Sequence, residues 1–178
     1  DLTEKALRLY EDIEDYSGQA WANSLLGNYY YDLNNREKSL EHFNATLEIA
    51  QKSENQHWQA RALNGIGNAW RAAREFAKAL EFQERSLVIQ QKNGHRLSES
   101  RILNDIGHIY RDMGNFDKAL EYHMQSLDIR KSLDYAAGLT TTLLDLGELH
   151  YRQQDYQTAL KYLVEAETQA KRTNARLK

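Results

Sequence analysis

An all-α fold, a right-handed solenoid of antiparallel helix pairs, is what this sequence predicts, and three observations predict it. Proline is absent from its 178 residues and Val is nearly absent, so helix breakers and strand formers are both scarce. Gly27, Gly67, Gly107 and Gly147 recur at a period of forty without a slip, which marks a repeat architecture. Within each period the apolar residues step by three and four, as Leu63, Ile66 and Trp70 do, and so share one face of a helix.

The elements follow in order. Residues 1–12 carry Ala6, Leu7 and Leu9 one period ahead of Thr46, Leu47 and Ile49, which predicts the second helix of a repeat whose first helix is missing. Four repeats come next, at about 19–54, 59–94, 99–134 and 139–174. Each first helix holds a branched aliphatic before its glycine (Leu26, Ile66, Ile106, Leu146) and a ring three residues after it (Tyr30, Trp70, Tyr110, His150). Each second helix holds the small residues Ser39, Ala79, Ala119 and Ala159, a Leu next to each, and a further small column at Thr46, Ser86, Ser126 and Ala166. The breakers LNNR, AARE, MGNF and RQQD predict tight turns inside each pair, and the longer stretches KSENQH, KNGHRLS and KSLDYAAG predict the links between pairs. Gly94 is the expected helix stop in the second of these links. After Lys171, RTNARLK is expected to be a linker and the opening of a further repeat, so the chain is expected to be a piece of something longer.

Two glycines close together, Gly65 and Gly67, stand in one otherwise strong helical stretch, each at a cost of about 1 kcal/mol relative to Ala. Gly67 belongs to the column that is glycine in every repeat, where a missing side chain lets paired helices approach. Gly65 aligns with Leu25, Asp105 and Asp145, so that column does not account for it; close approach of a ligand backbone is the alternative reading.

Composition excludes several functions. The chain is 41% hydrophobic and 28% charged, a globular composition. It has no cysteine, hence no disulfide, thiolate metal site or cysteine nucleophile, and it suits a reducing, cytoplasmic setting. A net charge of −3 argues against nucleic acid and a polybasic membrane surface, and no apolar run has the length of a membrane span. The six histidines form no i, i+4 pair and no HExxH, so neither metal nor other cofactor is expected; His150, in a ring column, is expected to be a packed core histidine. NGIGN breaks the spacing of a phosphate loop, the carboxylates are scattered, and no nucleophile motif occurs, so no enzyme is expected.

The columns L/I-G-x-x-Y/W, an Ala twelve residues after the Gly and a small residue seven further on resemble the tetratricopeptide repeat, here lengthened to forty residues. The form with ARALNGIGNAW and GNFDKALEYHMQSLDIRKSL is similar to the repeats of Pins-type spindle adaptors and kinesin light chains, and to regulatory regions of bacterial sensor kinases and nucleotide cyclases. The resemblance implies a concave groove lined by first helices. Carried over, the groove columns contain Trp21, Arg61 and Arg101; Asn64 and Asn104; Asn28, Asn68 and His108; and Tyr31, Arg71, Arg111 and Tyr151. Arg61, Asn64, Asn68 and Arg71 step by three or four and share a face, which Arg101, Asn104, His108 and Arg111 repeat. Asn matches the unpaired backbone of an extended peptide, and the Arg fork matches carboxylates. The partner expected is a protein or peptide with an acidic, extended segment, its apolar side chains near Trp21, Tyr31 or Tyr151. Trp58, whose equivalents are Gly18, Ser98 and Gly138, covers the groove edge or packs locally. Asp105, Asp112 and Asp145 lie where they can absorb part of the arginine charge.

Three functional readings compete at this point. One is a sensing or partner-binding region of a larger signalling protein, one a stand-alone adaptor of the spindle or motor type, and one a self-assembly module.

Overall fold

A computed structural model describes residues 2–176, with side chains placed as far as Thr173. Nine helices make up the described residues: α1 (Leu2–Asp12), α2 (Tyr16–Asp32), α3 (Arg36–Lys52), α4 (Gln56–Ala72), α5 (Phe76–Lys92), α6 (Arg96–Asp112), α7 (Phe116–Ser132), α8 (Ala136–Arg152) and α9 (Tyr156–Arg176). They fall into two compact units, residues 1–94 and residues 95–178.

The turns repeat at twice the frequency of the glycines. Links between pairs are as short as turns within pairs, because His57, Arg96–Ser98 and Ala136–Gly138, expected in longer links, already lie inside helices. In every turn the middle residue adopts positive φ: Glu14, Asn34, Glu54, Arg74, Gly94, Gly114, Asp134 and Gln154. In seven of these turns the next residue's N–H reaches back five residues, as Asn35 does to the Tyr30 carbonyl at 2.8 Å and Asn115 to Tyr110 at 2.9 Å, closing a Schellman stop. That third turn residue caps the following helix. The side chains of Asp15, Asn35, Asn55, Asn115 and Asp155 accept from first-turn N–H groups at 3.0–3.2 Å. Gly94, at φ +66°, is the stop the sequence predicts. The C-terminal expectation is corrected: α9 runs on to Arg176, so RTNAR is helix rather than linker, and residues 177–178 lie outside the described residues.

Within residues 1–94, α3 returns antiparallel along α2. Ser39 Oγ donates to the Gly27 carbonyl at 2.9 Å, and His42 Nδ1 meets Asn23 Oδ1 at 2.9 Å. Partner numbers fall along one helix as they rise along the other. α5 returns along α4 in the same register, with Ser86 Oγ donating to the Ala60 carbonyl at 2.7 Å. Within residues 95–178, Ser126 Oγ donates to the Ser100 carbonyl at 2.7 Å, so α6 and α7 repeat the pattern. The small columns lie inside: Ser39, Ala79, Ala119, Thr46, Ser86 and Ser126 are fully buried. The first-helix ring packs on the second helix, Tyr30 on His42, Tyr110 on Tyr122 and His150 on Tyr162, with centroids 5.4–5.5 Å apart.

Gly65 has a packing reason after all. A Cβ there would lie 2.5 Å from the Phe43 ring, and a Cβ at Gly27 would lie 2.7 Å from the same ring. Phe43 is only 2% exposed. The alternative of a close ligand backbone is therefore unnecessary.

Candidate functional site

The expected surface residues divide between the two units. In residues 1–94, α2 presents Trp21, Asn28 and Tyr31, and α4 presents Arg61, Asn64, Asn68 and Arg71. Trp21 is 43% exposed and meets Tyr10 edge-on at 6.4 Å. Asn28 is exposed and Tyr31 half-buried. Arg61 is exposed; its Nε donates to Ser24 Oγ at 3.0 Å and its guanidinium lies 5.4 Å from the Trp58 ring centre. Trp58 thus packs locally, as a platform for Arg61. The half-buried amides of Asn64 and Asn68 are held by Gln83, which comes from α5 and is fully buried. Gln83 Oε1 accepts from Asn64 at 2.9 Å and its Nε2 donates to Asn68 Oδ1 at 3.0 Å. Arg71 is half-buried. Tyr31, Asn34, Arg36, Ala69, Ala72 and Ala73 line a shallow pocket beside this face.

In residues 95–178 the same columns have different surroundings. Arg101 is exposed. Asn104, expected on the groove surface, is buried, and its amide joins three helices: Nδ2 donates to Asp145 Oδ2 at 2.9 Å, while Oδ1 lies 3.0 Å from His123 Nδ1 and accepts from Thr142 Oγ1 at 3.2 Å. His108 is half-buried, its Nε2 3.0 Å from Asp145 Oδ2. Arg111 is half-buried and its charge is taken up, with Asp112 Oδ1 at 3.0 Å and Glu148 Oε2 at 3.5 Å. Tyr151 is 63% exposed and packs edge-on against Tyr156. Expected neutralisation of the arginine charge therefore applies to Arg111.

Burial explains the titration behaviour of this second cluster. It pushes His123 down to about 4, against the opposing pull of Asp145, so the ring is neutral at neutral pH. Asp145 is held below its ordinary value: burial alone would raise it, but the hydrogen bonds and charge of His108, with the Asn104 amide, outweigh that. Arg130, also buried, donates to the Gly138 carbonyl at 2.7 Å and to Thr142 Oγ1, and its desolvation lowers its pKa.

The residues missed in the sequence lie on second helices and in the column of Asp145. Phe43, Gln83, His123 and Leu163 occupy one column, and each faces a repeat glycine at 2.7–2.9 Å from where a Cβ would be. A column that is buried in three repeats and changes there from ring to amide to imidazole is itself a signal, because the neighbouring core columns keep their character.

Helix pairs of constant register, closed by a glycine and two small columns, define a solenoid-type repeat protein that works by presenting surfaces. The chain belongs to the tetratricopeptide repeat family, which matches residues 18–92 and 98–172. No curated protein matches it by sequence. Among solved structures it is similar to BtubC (BKLC) from P. vanneervenii, with 21% identity over 97% of this chain and 72% of that one, at a TM-score of 0.82. It is also similar to a Rap protein complexed with Competence and Sporulation Factor (15% identity, 90% of this chain and 46% of that one, TM-score 0.82). A third is a STAND signal-transduction ATPase with a tetratricopeptide repeat sensor from Pyrococcus horikoshii (24% identity, 98% and 28%, TM-score 0.79). The chain thus spans under half the length of the second and third. Identities this low carry the fold alone. Among the described residues no helix is long and apolar enough to cross a membrane.

Proposed function

We propose that this chain is a protein- or peptide-binding module which takes an extended acidic segment on its first-helix surface, as the sensing or regulatory region of a larger signalling protein. The observation that carries the reading is Arg61. Its guanidinium is exposed and rests on a neutral hydroxyl and a tryptophan ring, so its charge is available to a carboxylate. The pocket at Tyr31 and Arg36 lies in the same unit and suits an aromatic or aliphatic anchor. Arg111, already engaged by Asp112 and Glu148, is expected to contribute less than Arg61. The structural likeness to a signal-transduction ATPase with a tetratricopeptide repeat sensor, and to a Rap protein complexed with Competence and Sporulation Factor, is consistent with the regulatory setting.

Fluorescence anisotropy with labelled acidic peptides, and with neutral and basic controls of equal length, tests the reading. Arg61→Glu is expected to weaken acidic-peptide binding at least about tenfold, near 1.4 kcal/mol, whereas Arg111→Glu weakens it less than about threefold. Circular dichroism establishes that both variants are folded. Equal affinity of wild type and folded Arg61→Glu would move the binding surface elsewhere.

Self-association is the second reading, and a specific observation favours it. Tyr156, Leu160, Leu163 and Val164 on α9 are 41–63% exposed and form an apolar strip at helical spacing.

A further inference from the structure

We propose that His108, His123 and Asp145 form a binding site for a divalent transition-metal ion of the zinc, cobalt or nickel kind, joining α6, α7 and α8. One ligand atom from each residue lies within 4.8 Å of the other two. His108 Nε2 and Asp145 Oδ2 are already 3.0 Å apart. Two imidazoles and a carboxylate are the donor set of a three-ligand site that leaves one position for water.

The hydrogen bonds assign the lone pairs. Asn104 places an amide nitrogen 2.9 Å from Asp145 Oδ2, and only its NH2 can donate to a carboxylate. Its Oδ1 therefore faces His123, and Nδ1 at 3.0 Å must carry the proton that Oδ1 accepts. Nε2 of His123 is left as a bare lone pair. That atom is buried and has no hydrogen-bond partner among the described residues. The whole side chain is buried, with its Nδ1–Cε1–Nε2 edge turned onto α6, where a Cβ at Gly107 would lie 2.7–2.8 Å from it. An orphaned acceptor inside a protein is costly, and a cation is the partner that a neutral imidazole lone pair takes most strongly. The Nδ1–H to Asn104 bond is the outer support that orients a ligating histidine, and Asn104 is itself anchored by Asp145 and Thr142.

Access and geometry agree with this assignment. The His108 and Asp145 side chains are 19% and 14% exposed, so their ligand atoms can be reached from solvent. Bonds of about 2.0–2.1 Å to a four-coordinate ion bring ligand atoms to roughly 3.4 Å of one another, so the side chains have to draw together from their present spacing, with His123 Nε2 brought in as that residue's ligand atom. The ion would take the place of the contact between His108 Nε2 and Asp145 Oδ2, with the Asn104 amide nitrogen 3.3 Å from the same His108 atom.

The other unit supplies the contrast. There the columns of Asn104, His108 and His123 hold Asn64, Asn68 and Gln83. Gln83 accepts from Asn64 and donates to Asn68, so that amide network closes on itself. The imidazoles of α6 and α7 do not close in this way.

The same contrast designs the test. Tag-free protein is titrated with CoCl2 while the visible d–d absorption of bound Co2+ is followed, and its melting temperature is measured with and without ZnCl2. Wild type is expected to bind one equivalent in a four- or five-coordinate environment and to melt higher with Zn2+. His123→Gln imports the Gln83 residue and His108→Asn the Asn68 residue, both of which the fold already accommodates. Each is expected to lose the absorption band and the Zn2+-dependent shift while keeping wild-type helicity. If His123→Gln fails to fold, His108→Asn at the half-buried position decides alone. No band in wild type, or an undiminished band in the folded variants, overturns the proposal; the second result would mean adventitious binding at the remaining histidines.

Discussion

The Phe43 ring lies between Gly27 and Gly65, and both glycines exist to admit it. Two effects oppose each other at Gly65. Alanine would gain about 1 kcal/mol of helix propensity, but its Cβ would sit 2.5 Å from a ring that is 2% exposed and has a second helix behind it. Overpacking of that kind costs about 1–3 kcal/mol, so the clash wins. Gly65→Ala is expected to lower the denaturation midpoint, and Phe43→Leu in the same chain to recover part of the loss, since Leu163 already fills this column over Gly147. A Gly65→Ala protein more stable than wild type would show that Phe43 swings aside at no cost. At this scale the sequence was legible only in part. Gly67 could be read from its column, whereas Gly65 depends on one phenylalanine in an earlier helix that no local pattern connects to it.

At the scale of helices and turns, every stop uses one left-handed residue, yet only two of those eight residues are glycine, Gly94 and Gly114. Glu, Asn, Arg, Asp and Gln hold the same conformation elsewhere. This is why the inter-pair links looked longer in the sequence than they are: without a glycine to mark the stop, the polar residues on each side merged into one apparent linker. Caps show the opposite variation. Asp15, Asn35, Asn55, Asn115 and Asp155 bond the following first turn, while Glu75, His95 and Tyr135 make no side-chain cap bond. Glu75 loses little if replaced, because its ion pair with Lys78, at 3.5 Å, is exposed on both sides. Glu75→Asn is therefore expected to raise stability by about 0.5–1 kcal/mol, the worth of a cap bond. Urea denaturation measures this directly, and an unchanged midpoint would mean that the backbone at 75 does not present the amide to α5. Helix identity and pairing were legible because apolar spacing and small columns are local signals. The candidate surface was less so. Asn64 and Asn68 share a face of α4 by spacing and Asn104 holds the column of Asn64 on α6, but whether they meet solvent or an inward-turned Gln83 or His123 is set by the second helix.

For the molecule as a whole, charge and apolar surface decide how it behaves toward its own kind. A net charge of −3 over 178 residues gives weak mutual repulsion. Against that, Leu160 and Val164 are 63% and 53% exposed on α9, with Leu163 and Tyr156 beside them. The nearest charges, Lys161 and Glu165, share the strip's own shallow pocket and are of opposite sign, so they do little to keep a second copy away. Burying the remaining exposed half of two such side chains on each copy is worth about 1–1.5 kcal/mol for each side chain, which favours weak dimerisation where it exceeds the cost of immobilising a partner. Sedimentation equilibrium is expected to show a mass that rises with protein concentration, and Leu160→Lys/Val164→Lys to abolish the rise without loss of helicity. The same variant is expected to keep its affinity for acidic peptides, because Arg61 and the Tyr31 pocket belong to the other unit. If removing the strip abolished peptide binding as well, the binding-competent species would be the assembled one, and self-association would become part of the function rather than its competitor.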